Sequence, residues 1–255
     1  MKLNDIKLFA NKIEGKILFN YEIKKLNWFN IGGKTKIFFK PENLHELISF
    51  LKIYKNRGKI FVLGAGSNVL FNDNIYKGVV IKLGKKFSNI SVLSDYPRDD
   101  ILVAGSSTLD KKVSEFAKEN NLGGFEFLSC IPGTIGGGIR MNSGCFNREF
   151  KDILLSVQLL DFSGKVFTIP AEKINFYYRG SDLSKKLIFL SASFKGIKKD
   201  SKLIQEEINK LKNQKELTQP SKIKTGGSTF KNPTGKTKKK VWELIKQSVP
   251  LDIKF

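Results

Sequence analysis

At 255 residues, with 40% hydrophobic and 27% charged residues, the chain is long enough for one large domain or two to three small ones and has the composition of a globular protein. The net charge of +21 invites a nucleic-acid partner, but the lysines are spread along the whole chain without a helix-turn-helix, zinc-finger or RNP-type aromatic motif, so no nucleic-acid contact is expected. No apolar run is long enough to span a bilayer, the charged N-terminal MKLNDIKLFANKIEG is no secretory signal, and two cysteines are too few for a disulfide scaffold, so the expectation is a cytoplasmic chain without membrane insertion.

In chain order, a weakly amphipathic N-terminal segment precedes LNWFNIGG at residues 26–33, which sets aromatics against a Gly-Gly turn, and the short strand KIFFK follows. Pro41 and Glu42 are expected to open a helix whose apolar face carries Leu44, Leu47, Ile48 and Leu51, with Gly58 closing the connection behind it. The single histidine, His45, falls on the solvent side of that helix, so histidine catalysis is not expected and neither is a bound metal. A strand at 59–63 runs into a first glycine loop, VLGAGSNVL, and GVVIKL at 78–83 forms another apolar strand. Polar residues between 85 and 100 mark a boundary. A second unit begins with the strand ILVAG and a helix at 109–120 that turns Val113, Phe116 and Ala117 inward, and residues 122–127 lead into a second glycine run. Then ILLSVQLLD and KVFTIP flank Ser163-Gly164 as a hairpin, IFLSASF makes one more strand, and 198–215 is helical with Ile204, Ile208 and Leu211 on one face, ending before Pro220.

Two glycine-rich segments organise this α+β pattern: residues 62–70, and IPGTIGGGIRMNSG at 131–144. Glycine reaches positive φ without penalty and lets main-chain N–H groups converge on an anion, so the pair suggests a ligand with two phosphates, whereas either alone reads equally as a tight turn. The Rossmann pattern fails because Val69 stands where the third glycine after Gly64 and Gly66 belongs, and Trp28 and Phe230 occupy the first-glycine positions of the two P-loop-like endings. What remains is a flavin or other dinucleotide held by two separate glycine loops. In NFYYRGSDL, Arg179 offers a permanent cation with a bidentate fork at a turn, or else a surface ion pair. In TGGSTFKNP, Ser228 presents a hydroxyl on a constrained turn; with no usable histidine it belongs to no triad and acts as an acid or a ligand contact.

Taken in order, WFNIGG, VLGAGSNVL, IPGTIGGGIRMNSG, YYRGS and QPSKIKTGGSTFKNP resemble the UDP-N-acetylenolpyruvoylglucosamine reductase family over nearly the whole chain. The resemblance implies two small α+β units, residues 1–85 and 86–196, forming an FAD-binding fold like that of vanillyl-alcohol oxidase, followed by an α+β substrate-binding unit at 197–255 of the compact subtype. It implies that NADPH reduces FAD and leaves, and that the enolpyruvyl UDP-sugar replaces it and takes hydride at C3. The flavin-phosphate candidates are then Gly64, Gly66, Ser67 and Asn68 with Gly133, Thr134, Gly136 and Gly137. Arg179 would hold the substrate carboxylate and the developing enolate, Ser228 would protonate C2, and Asn232 would contact the UDP-sugar. A monomer is the expected state. Family members continue past WELIKQS to a strand with a catalytic glutamate, which VPLDIKF does not match; the expectation is a truncated or frame-shifted reading with an incomplete substrate unit, FAD binding and little turnover. The alternatives are another flavin oxidoreductase of the same fold, or a basic nucleic-acid-binding protein.

Overall fold

The computed structural model describes residues 3–55, 57–93, 100–218, 230–233 and 239–249. The chain divides into two compact units, Met1–Lys224 and Thr225–Phe255.

In the larger unit, helix α1 (Leu3–Ala10) buries Ile6 and leads into β1 (Lys16–Glu22), an edge strand of alternating half-buried and exposed residues. β1 pairs antiparallel with β2 (Lys34–Lys40), whose Phe38 and Phe39 enter the cores on opposite faces, as the two-residue period of a central strand requires. Helix α2 (Leu44–Tyr54) then crosses to β3 (Lys59–Val62), and β4 (Tyr76–Ile81) inserts parallel to both β2 and β3, giving the order β1-β2-β4-β3. The helix does not open at Pro41 and Glu42. Asn43 caps it instead, its side chain accepting from the Glu46 amide at 3.0 Å, and the buried Glu46 carboxylate collects the amides of Glu42 at 2.8 Å and Glu14 at 2.9 Å. His45 is exposed.

A second sheet starts at β5 (Ile90–Leu93) and β6 (Ile101–Gly105), followed by helix α3 (Asp110–Glu119), which buries Val113 and Ala117 and leaves Phe116 half-buried. After β7 (Leu122–Gly123), the short helix α4 (Ile135–Arg140) lies inside the second glycine run, and a small hairpin pairs β8 (Gly144–Cys145) with β9 (Arg148–Glu149). The hairpin around Gly164 joins β10 (Leu154–Asp161) to β11 (Val166–Pro170), with Gly164 at φ +97°. A second small hairpin, β12 (Phe176–Tyr177) and β13 (Gly180–Ser181), precedes β14 (Leu187–Lys195) and β15 (Ile197–Lys198). The five-stranded order is β11-β10-β14-β6-β5, antiparallel throughout, and helix α5 (Ser201–Thr218) buries Ile204 and Ile208. Leu160, Ile188 and Leu190 of this sheet share one core with Phe39 and Ile81 of the first and with Phe50 of α2, so the two sheets bury a common apolar seam.

The smaller unit contributes helix α6 (Val241–Ser248). Asn232 Oδ1 accepts from the Val241 amide at 3.1 Å, and Glu243 accepts from Lys240 N at 2.6 Å, so both satisfy amides at its start.

Candidate functional site

The first glycine loop leaves β3 with its backbone open. Gly66, at φ +74°, is pressed so closely on Leu26 and Asn27 that a Cβ would collide with the Leu26 carbonyl, and its own carbonyl accepts from Trp28 N at 3.0 Å. The loop is thereby clamped to LNWFNIGG. Behind it, the half-buried Lys82 ammonium donates to Gly64 O at 2.6 Å, with burial and then Lys40 holding its pKa below that of an ordinary lysine. With these carbonyls engaged, the amides of residues 64–68 donate no hydrogen bond among the described residues, although Gly66 is buried. A run of N–H groups without acceptors, buried or half-buried in all but the exposed Asn68, is rare in a folded chain and fits a cradle for an anion.

The second glycine run comes up against this loop. A Cβ on Gly64 would lie 2.5 Å from Thr134 Oγ1, so the two segments approach closely there, and the missing Cβ leaves the Thr134 hydroxyl in place. Thr134 is the residue before α4 but makes no side-chain cap; its hydroxyl and amide, and the amide of Gly137, also lack acceptors among the described residues. The other glycines of the run serve packing. Gly136 N donates to Ser106 O at 2.8 Å, Gly133 N to Ile131 O at 3.0 Å, and Gly138 lies where a Cβ would enter the Phe150 ring. Under Gly133, Asp110 is fully buried, neither carboxylate oxygen has a partner among the described residues, and desolvation raises its pKa well above the usual carboxylate range. The seven unpaired amides with the Thr134 hydroxyl fit the diphosphate of a dinucleotide such as FAD.

The far end of the same run meets Arg179. This residue sits at φ +60° in the two-residue turn between Tyr177 and Gly180, and its Nη2 donates to Gly144 O at 3.0 Å. Its Nη1 lies 3.6 Å from Glu149 Oε1, and its guanidinium stands 4.9 Å from the centroid of the Tyr178 ring. Asn142, at φ +40°, Phe146 at +50° and Asn147 at +63° share this neighbourhood. Four of the eight non-glycine residues at positive φ among the described residues are thus gathered here, and strained backbone of this kind collects at functional sites.

Ser228 lies outside the described residues. Asn232 is in the smaller unit, at the start of α6. Ser67 and Asn68 follow Gly66 on the open loop. Three participants went unread in the sequence: Lys82, signalled by a charge inside the apolar GVVIKL; Asp110, an acid at the start of a helix; and Glu149. Among the described residues no group of His, Cys, Asp and Glu could hold a metal, and no helix is long and apolar enough to cross a membrane.

Residues 35–170 match the FAD_binding_4 family, FAD binding domain. The UDP-N-acetylenolpyruvoylglucosamine reductase of Pelagibacter ubique (strain HTCC1062) is 59% identical over 255 residues, all of this chain and 83% of that protein. The enzyme of the same name from Rickettsia conorii (strain ATCC VR-613 / Malish 7) is 46% identical over 233 residues, 91% of this chain and 76% of that one. The crystal structure of UDP-N-acetylenolpyruvylglucosamine reductase (MurB) from Thermus caldophilus superposes with a TM-score of 0.77 at 25% identity, covering 92% of this chain and 80% of that chain. With the FAD-binding match over half of its length and relatives this similar along all of it, the chain belongs to the UDP-N-acetylenolpyruvoylglucosamine reductase family.

Proposed function

We propose that this protein reduces UDP-N-acetylglucosamine enolpyruvate to UDP-N-acetylmuramate with NADPH, through bound FAD, in the synthesis of peptidoglycan precursors. The observation that carries the reading is the meeting of the two glycine segments at Gly64 and Thr134, both of which carry amides without acceptors among the described residues, donors of the kind that two phosphates take up. Gly64, Gly66, Ser67 and Asn68 would hold one side of the diphosphate and Thr134 and Gly137 the other, while Gly133 and Gly136 let their segment pack closely. FAD held there would supply the hydride chemistry between NADPH and C3 of the enolpyruvyl group.

The chain's own residues handle the charge and the proton. Arg179 has used only one edge of its fork on Gly144 and Glu149, which leaves N–H groups for the substrate carboxylate and for the negative charge that grows on it as C3 is reduced. Ser228 is assigned the proton for C2, where a strongly basic carbon held within hydrogen-bond reach can take it from a weak acid. Asn232 is assigned to the UDP-sugar. In this reading residues 1–85 and 86–196 hold FAD and residues 197–255 take the sugar. A cytoplasmic monomer suits two free thiols and substrates that are soluble nucleotides.

The test is steady-state oxidation of NADPH by purified protein with FAD. Oxidation that depends on the enolpyruvyl sugar and yields UDP-N-acetylmuramate is expected. NADPH oxidation indifferent to the sugar would instead favour another flavin oxidoreductase on this fold.

A further inference from the structure

The turn that carries Arg179 cannot hold its own shape. β12 and β13 form two residue pairs only, Phe176 with Ser181 and Tyr177 with Gly180, and a ribbon so short is not stable by itself. Arg179 also occupies a left-handed conformation, which a non-glycine residue adopts only where its surroundings enforce it. The surroundings converge on one side chain. Asn142 is fully buried, and its Nδ2 donates both to Glu149 Oε2 at 2.9 Å and to the Tyr177 carbonyl at 3.2 Å, while its Oδ1 accepts from Lys151 N at 3.2 Å.

These bonds act on Arg179 from two directions. Through Tyr177 they fix the backbone from which the arginine projects. Through Glu149 they fix the carboxylate beside its guanidinium, and Glu149 stands directly opposite Gly144 in the β8–β9 hairpin, so that one small ribbon presents both groups that Arg179 touches. Asn142 in turn is tied to α4, its amide donating to Ile139 O at 3.1 Å. One buried amide therefore joins the helix of the second glycine segment to the arginine.

We propose that Asn142, acting with Glu149, is the positioning residue that sets Arg179 at a fixed place relative to the flavin-binding segment; this rests on the assignment of Arg179 to the substrate carboxylate. The chemistry of the site requires the amide in particular. Aspartate at 142 keeps the size, the tolerance for positive φ and the acceptor toward Lys151, but it replaces both donated hydrogen bonds with repulsion against the Glu149 carboxylate and the Tyr177 carbonyl. Glutamine at 149 keeps its shape and removes the charge beside Arg179.

The experiment is a double-mutant cycle on the full-length protein with FAD bound, reading the affinity of the oxidised enzyme for the enolpyruvyl UDP-sugar and the rate at which that sugar reoxidises the NADPH-reduced flavin. Asn142→Asp is expected to retain FAD and the rate of NADPH reduction, and to weaken the response to the sugar by about 10- to 100-fold, the scale of a displaced positioning group. In an Arg179→Ala background the same substitution should have no further effect, which a merely structural role would not reproduce. Glu149→Gln should show the same dependence on Arg179 with a smaller loss, and it carries the test if Asn142→Asp does not fold. An Arg179→Ala protein that handles the sugar like the parent, or a parent that neither binds nor reduces it, overturns the assignment of Arg179 and this proposal with it. If Arg179→Ala does impair the response while Asn142→Asp and Glu149→Gln leave it unchanged, or act equally in the Arg179→Ala background, the positioning role alone is overturned.

Discussion

The two glycine-rich segments look alike in composition and differ in use. The amides of residues 64–68 donate no hydrogen bond among the described residues, and the loop is clamped from behind by Trp28 and Lys82, so glycine there opens a cradle. Residues 131–144 contain more glycine, yet Gly136 and Gly138 bring α4 against Ser106 and Phe150, and of the four flavin-phosphate candidates in this run Thr134 and Gly137 have amides without acceptors among the described residues. A glycine count therefore does not measure ligand contact. What matters is whether the missing Cβ would meet the protein or open space.

Neither segment is assigned the proton for C2, which separates holding the cofactor from completing the reaction. Ser228→Ala should bind FAD and let NADPH bleach it at the parent rate, while reoxidation by the enolpyruvyl sugar slows by roughly 10²- to 10⁴-fold, as for loss of a general acid. Stopped-flow traces in which flavin reduction itself fails would remove Ser228 from that role. The cradle itself is probed by Gly64→Ala, whose Cβ displaces the Thr134 hydroxyl, a movable group. Losing one hydrogen bond to a charged ligand weakens FAD binding about 10- to 100-fold. The melting temperature of the FAD-free protein should not change, and fluorescence titration with FAD compares the two proteins.

Gly138→Ala tests the opposite use. Its Cβ would enter the Phe150 ring in the core, and overpacking of this kind costs about 1 to 3 kcal/mol. Denaturant unfolding should show that loss, with FAD stoichiometry unchanged in the folded fraction. A variant that folds normally but loses FAD would make the second segment a cradle like the first. The smallest effect concerns Asp110. Its raised pKa means that the folded state binds the proton more tightly than the unfolded state, so above the unfolded value near 3.8 stability falls as pH rises, until the folded pKa is passed. Asp110→Asn removes that dependence and should unfold at higher denaturant than the parent at neutral pH, with the two converging in acid. Equal pH profiles would place a partner on Asp110.

Much of the frame was legible because it rests on local signals. Helix α3 was read one residue wide at each end from the spacing of Val113 and Ala117, and the hairpin at Gly164 from its turn dipeptide. Strand β1 escaped because Leu18, 38% exposed on the outward face, stands between the inward Ile17 and Phe19, so the hydropathy of the sequence does not alternate although the burial does. Helix α4 escaped because three consecutive glycines argue against a helix, and packing on Ser106 and Phe150 overrides propensity. The loop at 64–68 could be read from its glycines, whereas the surroundings of Arg179 could not. The turns there place Phe146, Asn147 and Arg179 at positive φ without glycine, and only tertiary contacts such as those of Asn142 enforce that.

The most direct measurement of the central claim is anaerobic absorbance of the purified chain with FAD, followed through addition of NADPH and then of UDP-N-acetylglucosamine enolpyruvate. The account predicts a stoichiometric yellow complex, bleached by NADPH and restored by the sugar. A chain that takes up no FAD, or one whose bleached flavin the sugar leaves unchanged, would contradict it.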